Sequence, residues 1–170
     1  MFDPQADPER SKMILGAQII VAALVAGCLF FLLTVLLIVP GKPGGWELRA
    51  DRPLTLIALA VALGTLAARI IVPGVVAAQM LRQLARQKPE GPDWKALFGV
   101  YQATLILKAA ILEGAIFLLV IAYMVEHSRW TLALAAAFLL LLLMHMPTPG
   151  RVDNWIAGKS PAEREQRWMQ

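Results

Sequence analysis

Three ionisable residues stand inside otherwise apolar stretches of this chain: Arg69, Lys108 and Glu113. Such groups are costly near the centre of a bilayer, and by default they mark a pathway, a pairing or a coupling site. Glu113 is suited to exchanging a proton or binding a cation, with Arg69 or Lys108 setting its pKa through charge and burial. The plainer reading is an Arg69–Glu113 salt bridge that fixes helix register, and it is preferred in a chain with no other polar track. Positions 102 and 113 are about three full helical turns apart, so Gly99, Gln102, Ala109 and Glu113 share one face. That face is small and polar up to Glu113 and apolar from Ile116, which predicts that its first half points inward. Lys108 lies about 140° round the helix from Glu113, a poor partner within the helix, and is placed to snorkel toward the cytoplasmic headgroups. The candidate ion or proton site is therefore Glu113 with Arg69, Lys108 and Gln102.

A second pattern is small residues four apart: Ala60, Gly64 and Ala68, with Ala23 and Gly27 before them and Ala110 and Gly114 after. In lipid, helices associate by packing, and small residues let their backbones approach closely. The pattern predicts helix packing within the chain, or a homo-oligomer. Enzyme signatures are missing, and no enzyme activity is expected. His127 and His145 are isolated at the ends of apolar stretches, without an HExxH pattern, paired cysteines or a nucleophile elbow. Cys28, the only cysteine, excludes an intramolecular disulfide or a cysteine metal cluster. No cofactor or metal site is expected. Gly41 to Gly45 lacks the spacing of a phosphate-binding loop, and no basic stripe interleaved with aromatics points to nucleic acid.

The elements that must position these residues are membrane helices. In 170 residues, 58% are apolar and the mean hydropathy is +0.62, too apolar for a soluble domain of this size. Crossing a hydrocarbon core of roughly 30 Å takes about 20 helical residues. Four apolar stretches meet that length or approach it: 13–39, 54–81, 96–125 and 130–146. Strict two-residue alternation is absent from them, which sets a β-barrel aside. The prediction is an all-α fold, four transmembrane helices in a bundle, as one transmembrane domain over 1–170 with a short tail from 147.

Ten of the Lys and Arg residues flank these stretches on one side and four on the other, which predicts both termini in the cytoplasm. Trp46, Trp94, Trp130, Trp155 and Trp168 all fall outside or at the edges of the apolar runs, as an interfacial belt requires. Pro40-Gly41 ends the first span, and Asp51 with Pro53 opens the second. Pro73 removes the hydrogen bond to the Arg69 carbonyl and predicts a bend, after which Gln79, Arg82, Gln83 and Arg86 carry the helix out of the membrane. The link Glu126 to Arg129 is short enough to make the last two spans an antiparallel hairpin. Pro147 to Gly150 stops the fourth span, and Ser160-Pro161-Ala162-Glu163 forms a capping box for a short surface helix.

The stretch Leu105 to Tyr123, with Leu112-Glu113-Gly114, Phe117 and Ala122-Tyr123, resembles a segment of a family of small uncharacterised bacterial membrane proteins with four spans. The closing pattern from Pro147 through Arg151 to Trp155 is similar to the same group. The resemblance implies a multi-pass protein of the bacterial plasma membrane. A mid-span glutamate is also similar to that of the rotor-ring subunit of rotary ATP synthases, where it binds the coupling ion; the two-span layout and glycine-repeat helix of that subunit have no counterpart here. Two functions follow as expectations. One is a non-enzymatic accessory or assembly subunit that binds a protein partner or a second copy of itself in the bilayer. The other is a small transporter or proton- or cation-conducting protein that uses Glu113.

Overall fold

The computed structural model describes residues 8–39, 46, 52–87 and 93–159. Five helices and no strand occur among them: α1 (Pro8–Ile38), α2 (Pro53–Gln87), α3 (Trp94–Glu126), α4 (Arg129–Leu143) and α5 (Pro149–Ala157). Local chemistry fixes their ends. α1 opens at Pro8, whose missing N–H is no loss in a first turn, and Glu9 sits at the positive end of the helix dipole. The Asp93 carboxylate caps α3 by accepting from the Ala96 amide at 2.8 Å. At the other end His127 adopts a left-handed conformation (φ 52°) and donates its amide to the Tyr123 carbonyl at 2.8 Å. Only His127 and Ser128 separate α3 from α4, the short link the sequence predicts.

α1, α2 and α3 contain 31, 35 and 33 residues, and each is long and apolar enough to cross a membrane. α4 has 15 residues, a rise of about 22 Å, and by itself falls short of a hydrocarbon core of roughly 30 Å. The helical count of membrane-length spans is thus three among the described residues, one fewer than the apolar stretches predict. The reason is Pro147, which cannot continue α4, together with a turn that begins at Met144. α2 runs unbroken through Pro73 and ends at Gln87, with Gln79, Arg82, Gln83 and Arg86 all exposed.

α3 is the axis of the fold and packs against each of the other four helices. Leu112, Ile116, Leu119 and Val120 are buried at its centre, covered by Val21, Val25 and Cys28 from α1, Ala58 and Ala62 from α2, and Ala135, Phe138 and Leu142 from α4. Phe30, Leu37, Leu63 and Ile70 point outward at 74%, 86%, 71% and 72% exposure, surface that hydrocarbon solvates and water does not. α2 buries Thr55, Ala58, Ala62, Thr65 and Pro73. Ala60 and Gly64 are exposed, about 160° round the helix from Ala58 and Ala62, and neither Gly64 nor Gly114 has a neighbour within 4 Å of where a Cβ would stand. The small-residue faces therefore look out of the bundle.

Two aromatic clusters mark the ends. At one, Trp130 meets Trp46 edge to face at 5.2 Å and donates its indole N–H to the Trp46 carbonyl at 2.5 Å. At the other, Trp94 stacks on Phe98 at 5.1 Å, the Arg10 guanidinium lies 5.3 Å over the Trp94 ring, and Arg10 pairs with Asp153 of α5. Glu126 stands one residue beyond the apolar run 96–125 and joins α3 to the start of α2. Its carboxylate accepts from the Leu54 amide at 2.9 Å and the Thr55 amide at 2.7 Å. Asp51, Trp168 and the capping box from Ser160 to Glu163 lie outside the described residues.

Candidate functional site

Because α4 stops early, the chain turns beside the middle of α3, and α5 lies back along the first turns of that helix. Thr148 at the N-cap and Pro149 at the first position start α5; Val152 and Ile156, one turn apart, are buried. The Gln18 amide donates to the Pro147 carbonyl at 2.9 Å and pins the turn to α1. Arg151 donates from Nη1 to the Met144 carbonyl at 2.6 Å, and His145 Nδ1 lies 2.6 Å from the Leu141 carbonyl, a contact that places a proton on Nδ1.

A cleft of about 360 Å³ opens beneath the end of α4, with Arg69, Lys108, His145 and Lys159 on its walls. An adjoining cleft of about 260 Å³ shares Lys108, His145 and Trp155 and adds Tyr101 and Arg151. Among the described residues no carboxylate lines either one. Arg69, Lys108 and Arg151 are all within electrostatic reach of the His145 ring. The Thr104 hydroxyl proton is committed to the Tyr101 carbonyl at 2.8 Å, and the Tyr101 ring meets Trp155 edge to face at 5.6 Å.

The sequence-predicted residues divide between two sides of α3. Arg69 stands four positions beyond Thr65 on the inward stripe of α2, which carries it into the cleft. Lys108 stands four positions beyond Thr104 on the cleft side of α3. Glu113, five positions further on, faces α1 within electrostatic reach of the Cys28 thiol. Neither Glu113 nor Gln102 lines the cleft, although both are partly buried. Among the described residues no ion pair joins Glu113 to Arg69 or Lys108. The structure thus brings Arg69 and Lys108 together and holds Glu113 apart.

His145, Arg151, Trp155 and Lys159 were not among the candidates that charge and spacing selected. The signal for three of them was α5: a Thr148-Pro149 start, Val152 and Ile156 at helical spacing, and Gly158 after the last turn. The cleft presents positive charge and N–H donors without a nucleophile and base in contact. Such a lining is suited to holding an anion. Among the described residues no group of three His, Cys, Asp or Glu side chains could hold a metal ion. Comparison of the chain with protein-family models, curated proteins and solved structures finds no match.

Proposed function

We propose that this chain is a non-enzymatic protein of a bacterial plasma membrane, an accessory or assembly subunit that crosses the bilayer four times with both termini cytoplasmic. The observation that carries the reading is the separation of Glu113 from Arg69 and Lys108 by the body of α3. A conducting protein needs polar groups in succession across the bilayer, and here the mid-helix charges lie on two sides of a packed helix. The hairpin of α3 and α4, the placement of Lys and Arg, and the aromatic ends at Trp46–Trp130 and Trp94–Phe98 support the four-crossing layout, with the turn after Leu143 completing the fourth passage. The partner is a membrane protein or a second copy of the chain, and the outward Ala60 and Gly64 give a neighbouring helix room to approach.

One observation favours the conducting alternative: among the described residues Glu113 makes no ion pair or hydrogen bond. Proton flux through proteoliposomes under an imposed pH gradient separates the two. The accessory reading expects equal, background flux from wild type and Glu113→Gln. Flux above empty vesicles that disappears in Glu113→Gln would overturn it.

A further inference from the structure

Arg69 and Lys108 share one cleft, and among the described residues neither makes an ion pair or a hydrogen bond. Arg151 enters the adjoining cleft from α5 with one of its five N–H donors committed to the Met144 carbonyl. Like charges gathered beside the middle of two long helices repel one another, and each is costly away from bulk water. A bound anion removes both penalties at once. The space is also of the right order: about 360 Å³ lies at the lower end of small-ligand sites, which run from about 300 to 1,000 Å³. An Arg fork matches two oxygens of a phosphate and a Lys adds a point charge, so the donor set fits a tetrahedral oxyanion better than a halide. On the α2 side the cleft is bordered by Ile70, Ala77 and Leu81, and Ile70 continues outward onto the apolar surface of the helix.

We infer that the two adjoining clefts beneath α4, which share Lys108, bind a phosphate-bearing anion through Arg69, Lys108 and Arg151. The phosphate belongs either to the headgroup of an anionic phospholipid, whose chains would follow Ile70 outward, or to a small soluble phosphate. The site does not depend on whether the chain conducts ions, since Glu113 has no part in it.

The test uses the full chain, stripped of lipid in mild detergent. Native mass spectrometry follows the addition of phosphatidylglycerol or phosphatidylcholine, and isothermal titration calorimetry follows inorganic phosphate alone. The site predicts one tightly held phosphatidylglycerol, or one phosphate, with Arg69→Gln and Lys108→Gln each weakening binding about tenfold. Lys108→Arg keeps the charge and should keep binding, and Arg82→Gln on the exposed end of α2 should leave it unchanged. Saturable binding of the lipid but not of phosphate identifies a headgroup site; the converse identifies a soluble phosphate. Wild-type protein that binds neither, or binding that Arg69→Gln and Lys108→Gln leave intact, would overturn the inference without reference to how well any variant folds.

Discussion

Glu126 offers the sharpest test of how this fold is held. Its two carboxylate oxygens accept from the Leu54 and Thr55 amides at 2.9 and 2.7 Å, so the end of α3 caps the start of α2. Pro53 has no N–H, so two of the three orphan donors of that helix are satisfied this way, by a negative charge at the positive end of its dipole. Glu126→Gln keeps the shape but replaces one oxygen with an amide nitrogen that cannot accept, so one backbone N–H loses its partner. A hydrogen bond to a charged group contributes about 1.5–3 kcal/mol and a cap about 0.5–2 kcal/mol. The site is partly buried, and we expect Glu126→Gln to cost about 1–2 kcal/mol and Glu126→Ala about 2–4 kcal/mol. Burial works against ionisation here, yet hydrogen bonds from Thr55 and Leu54 and the nearby charge of Arg52 outweigh it and hold the carboxyl below its ordinary range. A folded-state pKa below the unfolded one adds stability above the unfolded value, about 4.3, which is lost as pH falls through the folded value. Reversible unfolding in mixed micelles, followed by circular dichroism from pH 7 to pH 3, measures both effects. Wild type should lose its margin over Glu126→Gln on acidification. A Glu126→Ala protein within about 0.5 kcal/mol of wild type at pH 7 would refute the capping argument.

Other consequences are open to direct measurement. Cys28 is buried against α3, so a maleimide should label it far more slowly in mild detergent than in sodium dodecyl sulfate; equal rates would mean that α1 does not pack as described. Trp155→Ala removes the edge-to-face contact with Tyr101 and should loosen α5, speeding amide exchange across 149–157 about tenfold while leaving that of α3 unchanged. Phe98→Ala empties a fully buried position and deletes the stack on Trp94, at a cost of about 3–5 kcal/mol by the same unfolding assay.

Length and apolar composition made the three long helices legible, and residue-level signals made two boundaries legible too: Pro53 at the start of α2 and the short link at His127. The end of α4 was not, because Leu139 to Met146 is as apolar as the rest of the run, and only the position of Pro147 tells where hydrogen bonding fails. α5 is hard to read from sequence because its mixed composition hides in a tail; its apolar positions are few but correctly spaced. For the site, charge inside an apolar run was enough to select Arg69 and Lys108. The spacing that put Glu113 about 140° away from Lys108 also held the information that the two face different neighbours. Which neighbour each face meets is a matter of helix arrangement, and the inward stripe of α2 through Thr65 to Arg69 emerges only once α2 is laid on α3.

The cap on α2 comes from a residue 71 to 72 positions further along the chain. A ribosome adding about 5–20 residues per second delivers Glu126 roughly 4 to 14 s after the amides it must satisfy. During that interval the start of α2 depends on water and headgroups, and α1 and α2 have no axis to pack on until α3 enters the bilayer. Insertion and assembly are therefore separate events in time for this chain: the first helices arrive early, and the fold closes only when its third helix is complete.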